Sequence, residues 1–364
     1  MINILIFLFV LSILILVHEL GHFIAAKKMG VKVEEFGIGF PPRILWINYK
    51  GTIYSLNAIP LGGFVKLYGE EYAQLRQTDK QKSTVAKMSI KHAFSYKKPW
   101  QKFLIVIGGV IGNFLFGWLL ISFLLTQGIP SPAGYIIIEG VKKDSPAALA
   151  GLKKGDHLIE VKIDKRTLKL TSTTDLITLT KQNAGQPMIL VVRRNGSILE
   201  KKIIPRPNPP KGEGALGIVI SSFIEKKYPW YQAPFYGLVE AFKITKLIIT
   251  EILKALLQII VLQKPKIEIT GPVGIASYTS SAIRFGKNAL LELTALLSLN
   301  LAVVNILPFP ALDGGRLVFV LYEWIKKKKV NQNVERYVNM VGIIILLSLA
   351  ILITYFDILK LITK

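Results

Sequence analysis

The sequence predicts a multi-pass α-helical membrane protein with about four transmembrane helices, a membrane-associated β-hairpin and an inserted soluble α+β domain. Three observations carry this. The 364-residue chain is 51% hydrophobic, too apolar for an ordinary soluble protein and too long for a single anchor. Its long apolar runs fall near both ends and around position 110, each close to the length a helix needs to cross hydrocarbon. Between them, from about 128, the composition turns soluble, with short β-prone runs.

The first span covers Ile2 to Ala26, and residues 2 to 17 carry no charge. It has no basic n-region and no clear small-x-small cleavage site, so it reads as a retained span rather than a signal peptide. The second covers Phe103 to Leu125, with Asn113 its only strongly polar side chain. The third covers Leu290 to Leu312 and the fourth Val338 to Phe356. Lys27 and Lys28 close the first span, Lys97, Lys98 and Lys102 open the second, and Arg316 and Lys326 to Lys329 separate the last two. The positive-inside rule puts all these on the cytoplasmic face and Met1, the C-terminus and residues 128 to 286 outside. The ends of the first and third spans then meet on one side.

Residues 52 to 68 hold two β-prone runs around Pro60-Leu61-Gly62-Gly63, which predicts a hairpin turning there. Residues 70 to 98 read as a polar cytoplasmic connection. Further strands are expected at Tyr135 to Ile138, His157 to Ile163, Met188 to Val192 and Ile198 to Ile204. Pro205 to Gly214 is a linker by composition. Trp230 to Leu262 mixes apolar residues with Glu240, Lys243, Lys246, Glu251 and Lys254, which predicts an amphipathic helix along the outer membrane surface. The domain boundaries that follow are 1–127, 128–208, 209–286 and 287–364.

The net charge of +23 fits basic cytoplasmic loops and contact with membrane lipids. Nucleic acid is not expected as a partner, since no helix-turn-helix, zinc finger or aromatic-basic RNA signature is present. Without cysteine there is no disulfide framework, thiolate metal site or cysteine nucleophile. Any metal ligands are nitrogen and oxygen.

That expectation meets His18-Glu19-Leu20-Gly21-His22, at the end of the first apolar run. On a helix the two imidazoles are one turn apart and share a face, where they can bind one Zn²⁺, with Glu19 near enough to handle the protons of a water. A zinc site that keeps a position open needs a third ligand. Asp313 is the candidate, ending a charge-free run from Leu293 and flanked by Pro308, Pro310, Gly314 and Gly315, where the helix should break. The bland alternative is a pair of core histidines and an acid capping a segment end.

His18-Glu19-Leu20-Gly21-His22 together with Asn305-x-x-Pro308-x-Pro310-x-Leu312-Asp313-Gly314 resembles the site-2 protease family of intramembrane zinc metalloproteases, in its bacterial regulator-of-sigma-E (RseP type) branch. The resemblance implies a zinc metalloendopeptidase of the bacterial inner membrane, with its active site towards the cytoplasm. It implies His18, His22 and Asp313 as metal ligands, Glu19 as the catalytic base, and Asn305 as a residue that positions substrate backbone. Asn300 either assists or makes a helix–helix hydrogen bond. Gly62, Gly63 and Phe64 open a family signature ending at Lys66, in a β-element that dips into the membrane and offers a strand edge to substrate. Gly271-Pro272-Val273-Gly274-Ile275 matches a second signature of uncertain role.

The segment from Asp144 to Asp156 resembles the helix and turn of a bacterial-protease PDZ domain, which takes a peptide end as an added strand. One such domain is expected, on the periplasmic or external side. The substrates implied are single-span membrane proteins already cut by another protease, namely anti-sigma factors or leftover signal peptides. Two other readings compete. A membrane-anchored peptide-binding scaffold with an inert metal site leaves Glu19 unexplained. A transporter would call for paired half-helices or an internal repeat, and the sequence shows neither.

Overall fold

The computed structural model describes residues 2–70, 91–163, 166–170, 172–210, 212–261 and 270–362. The chain divides into two compact units: Met1–Thr126 with Pro229–Lys364, and Gln127–Tyr228.

The first unit begins with α1 (Ile2–Lys28), followed by β1 (Val33–Tyr49), β2 (Thr52–Leu67) and α2 (Pro99–Gln127). Helices α1 and α2 cross with their backbones in contact, since a Cβ on Gly21 would lie 2.1 Å from the Gly108 carbonyl oxygen. The hairpin turns at Lys50-Gly51, not at Pro60 to Gly63. Both turn residues have positive φ, 48° and 74°, as a two-residue type I′ connection requires. Pro60 to Gly63 lie inside β2, where the chain bends so that residues 63–67 run along the free side of Glu35 to Ile38. Glu35 is thus matched to both Ile53 and Lys66. The bend is stitched to the middle of α1: Ser12 Oγ donates to the Pro60 carbonyl (2.8 Å), and the Gly62 N–H donates to Ser12 Oγ (3.3 Å). Inside the sheet, the buried Glu35 accepts hydrogen bonds from Arg43 and Ser55. The polar connection expected over 70 to 98 falls largely outside the described residues, and its end carries a 3₁₀ turn at Phe94–Tyr96.

The second unit contains β3 (Ile129–Val141), α3 (Pro146–Leu149), β4 (His157–Ile163), β5 (Arg166–Lys169), α4 (Thr173–Gln182), β6 (Met188–Arg194), β7 (Ser197–Ile203) and β8 (Ile218–Lys226). Its sheet runs β7-β6-β4-β3-β8, with β5 beside β4. Ile136, Ile138, Leu158, Leu176, Leu190 and Val192 form the core, as the alternation along the strands dictates. Both short helices are capped by serine: Ser145 caps α3, and Ser172 forms a reciprocal box with Asp175 on α4. The unit does not stop at 208. Strand β8 pairs with β3, so Pro205 to Gly214 is a loop within the fold rather than a linker. Glu213 in that loop pairs with Arg206 at 2.8 Å and Lys142 at 2.5 Å. Asp156 is 1% exposed and accepts from Arg194 Nε at 2.6 Å and Nη2 at 2.7 Å. Burial alone would raise its carboxyl, but the Arg194 guanidinium and the Lys153 N–H hold it below the usual carboxylate range.

The first unit resumes with α5 (Ala233–Ile260), α6 (Pro272–Phe285), α7 (Lys287–Ile306), α8 (Asp313–Lys326) and α9 (Gln332–Ile362). Helix α5 does not simply lie apart on a surface. Trp118 Nε1 of α2 donates to the Pro234 carbonyl at 2.8 Å, and Phe242 packs on Phe114 with ring centroids 5.0 Å apart. Of its charges, Glu240 pairs with Lys243 and Glu251 with Lys254 along the helix. The Gly271 to Ile275 signature has a structural use: the N–H groups of Gly271 and Gly274 donate to Asp357 Oδ2 of α9, at 3.0 and 2.8 Å, capping α6. Helix α7 ends at Ile306 rather than Leu312, because Pro308 and Pro310 cannot continue it. Lys102 is not a free flanking charge; it is buried against Glu323 of α8 at 2.7 Å. Among the described residues four segments are long and apolar enough to cross a membrane: α1, α2, α7 and Asn333–Lys360 of α9. This is a multi-pass membrane architecture carrying β-sheets.

Candidate metal centre

His18 and His22 are one turn apart on α1 and bring their Nε2 atoms to 3.1 Å. Asp313, at the first turn of α8, brings Oδ2 to 2.9 Å from His18 Nε2 and 3.1 Å from His22 Nε2. The loop between α7 and α8 makes this possible by folding back on the helix start. A Cβ on Gly314 would lie 2.0 Å from the Leu307 carbonyl oxygen, so only glycine lets loop and helix nest there. Helix α2 closes the other side. A Cβ on Gly109 would lie 2.4 Å from His22 Nε2 and 2.6 Å from His18 Cε1, so the missing side chain leaves room for the two rings.

The residues present fit a zinc ion. His22 Nδ1–H donates to the Ile105 carbonyl at 2.8 Å, which leaves the Nε2 lone pair free. Asp313 Oδ2 is buried, and apart from the two ring nitrogens no hydrogen-bond donor is recorded for it among the described residues. Two ring nitrogens and a carboxylate oxygen about 3 Å apart form a donor set that would hold one divalent cation. Among the described residues this is the one group of three or more such side chains able to hold a metal ion.

A cavity of about 230 Å³ opens beside these donors and is lined by Glu19, Phe64, Val65 and Arg316 as well. Residues 63–67 pair on one side with Val33 to Ile38, and their other side carries no strand partner among the described residues. Arg316 is ion-paired with Glu70 at the cavity wall. Of the residues expected to contact substrate, Phe64 lines the cavity, whereas Gly62 and Gly63 sit at the bend against Ile15 and Leu16. Asn305 approaches the centre, with Nδ2 3.5 Å from His18 Nδ1. It reaches there from the last turn of α7; the chain from 307 to 312 is a loop, not two further helical turns. Asn300 is exposed, five residues back on a different face of α7, and is not brought to the cavity. Sequence reasoning missed Gly109, the Ile105 carbonyl and Asn113. For Asn113 a signal existed: a lone amide in an otherwise apolar span.

Membrane helices that converge an imidazole pair and an aspartate on one point, with a carboxylate at the rim, define a metalloprotease class. Residues 6–349 match the family model described as Peptidase family M50. Proteins named as zinc metalloproteases in Clostridium perfringens and Clostridium acetobutylicum are 34% and 31% identical, over 95% and 98% of this chain and 96% and 97% of their own length. The regulator of sigma-W protease RasP of Bacillus subtilis is 27% identical over 98% of both chains. The chain belongs to peptidase family M50, the site-2 proteases, and is a zinc metalloprotease.

Proposed function

We propose that this protease cuts single-span membrane proteins within the membrane, with His18, His22 and Asp313 as the zinc ligands and Glu19 as the general base. The observation that carries the reading is the meeting of three donors, two from α1 and one from α8, within 3.1 Å beside the Glu19 carboxylate. Zinc supplies Lewis acidity, lowering the pKa of a water and polarising a carbonyl. Glu19 takes the proton of the attacking water and hands it to the leaving nitrogen. Asn305 holds substrate backbone next to His18. The unpaired side of residues 63–67 offers main-chain donors and acceptors to an extended segment, so a substrate helix unwinds locally and adds as a strand. Phe64 packs against the inserted chain.

The basic flanks of the spans support a cytoplasmic position for the site, with residues 127–228 on the external side of a bacterial inner membrane. That second unit acts as a single PDZ-type module. Its support is the edge strand β8, paired with β3 and neighboured by α4, beside which a peptide end would add as a strand. The substrates are anti-sigma factors or remnant signal peptides already trimmed by another protease, a reading that rests on the family and on the printed name of RasP.

The test uses wild type and Glu19→Gln reconstituted with a model single-span substrate. Wild type cleaves it, and the variant is slower by about 10²–10⁴-fold with its zinc content unchanged. Equal cleavage by the two would overturn the role of Glu19. Cleavage by neither, with zinc bound in both, would leave a metal-binding scaffold.

A further inference from the structure

The two proposed histidine ligands differ at their second ring nitrogens. His22 Nδ1–H donates to the Ile105 carbonyl at 2.8 Å, which fixes the tautomer whose Nε2 can bind a metal. His18 Nδ1 instead faces two side-chain amides, Asn113 Nδ2 at 3.4 Å and Asn305 Nδ2 at 3.5 Å. Two N–H donors aimed at one ring nitrogen would keep the proton on His18 Nε2. That proton would then point at His22 Nε2 and Asp313 Oδ2 and block ligation. Asn113 carries the remedy. It is fully buried in the middle of α2, and its Oδ1 has no hydrogen-bond partner, a costly state for a buried acceptor. A half-turn of its amide exchanges the oxygen and nitrogen ends. Oδ1 then accepts from His18 Nδ1–H and the Nε2 lone pair is released towards Asp313; the amide N–H₂ takes the place the oxygen held, and Asn305 turns its own Nδ2 away from Nδ1. Ser298 Oγ of α7 donates to the Asn113 main-chain carbonyl at 2.7 Å and holds this part of α2 in place.

We propose that Asn113 is the positioning residue for His18, its side-chain oxygen accepting the Nδ1 proton and holding the imidazole in the metal-ready tautomer. The inference rests on the reading of His18 as a zinc ligand.

The experiment measures zinc affinity of the full-length protein in detergent by competition with a chromophoric chelator. Wild type is titrated first; if it binds no zinc, the metal centre itself is overturned, and Asn113 with it. With wild type binding, Asn113→Leu weakens zinc by about 10–100-fold, the usual cost of losing such an outer partner, and Asn113→Asp, which keeps an acceptor, restores it. Wild-type affinity in Asn113→Leu overturns the proposal. So does a loss in Asn113→Asp as large as that in Asn113→Leu, which marks a packing role. So does a loss in Asn305→Leu that Asn113→Leu does not share, which gives the task to Asn305. Should the Leu variant fail to fold, Asn113→Ala replaces it in the same competition: a similar loss of zinc affinity supports the proposal, and wild-type affinity overturns it.

Discussion

Two aspartates, one in each unit, are held in opposite ways. Asp156 is surrounded by donors from its own fold: two nitrogens of Arg194 and the Lys153 N–H. Asp313 meets only two imidazole nitrogens, both at its buried Oδ2, and no arginine or main-chain N–H is recorded on that oxygen among the described residues. The first is a completed ion pair and serves stability. The second is charge-incomplete and asks for a cation. A buried carboxylate alone therefore says little; whether its donors come with it separates scaffold from chemistry.

The strongest way to break this contrast is Asp313→Ala. Zinc affinity should fall by more than the roughly 10–100-fold of an outer-shell change, and proteolysis should vanish with it. Chelator competition checks the first and substrate cleavage the second; unchanged zinc content would remove Asp313 from the ligand set. Asp156→Asn should do the reverse, leaving zinc intact and costing the 127–228 unit about 2 kcal/mol, between the values for exposed and buried pairs. Hydrogen exchange in that unit reads it.

The contrast also has a pH form. Because the Asp156 carboxyl is held below its usual range, its stabilisation is complete above that range and is lost as pH falls through the lower folded value. The 127–228 unit of the wild type should therefore weaken below about pH 4, while Asp156→Asn shows a flatter acid profile. Thermal unfolding followed across that interval checks it, and parallel profiles would count against the pair. Gly109→Ala is the mildest probe. Crowding the rings should cost about 1–3 kcal/mol of local stability and displace both imidazoles, lowering zinc affinity without touching a ligand.

How much of this was legible in the sequence follows the range of the interactions. The helix carrying His18 and His22 was legible because a four-residue spacing on an apolar run is local information. Asp313 was legible as an acid where two prolines stop a helix. The four spans followed from length and polarity, with only their ends shifted. The hairpin was misplaced because Pro60 to Gly63 are strong turn residues, yet contacts from Ser12 and Ile15 of α1 hold them in an extended bend, and Lys50-Gly51 makes the turn. Strand β8 was hidden behind a proline-rich loop, since its partner β3 lies far back in the chain. Asn113 was visible as an oddity, but its neighbours come from two other helices, and no spacing along one segment reveals such a meeting.

The cap on α6 has a temporal meaning. Gly271 and Gly274 leave the ribosome well before Asp357, the side chain that satisfies their N–H groups. Until α9 packs in place, the start of α6 lacks this acceptor for its N–H groups, and that helix lies against both α1 and α7. Helices bearing the histidines and Asn305 thus receive this brace only after the span carrying Asp357 has been made.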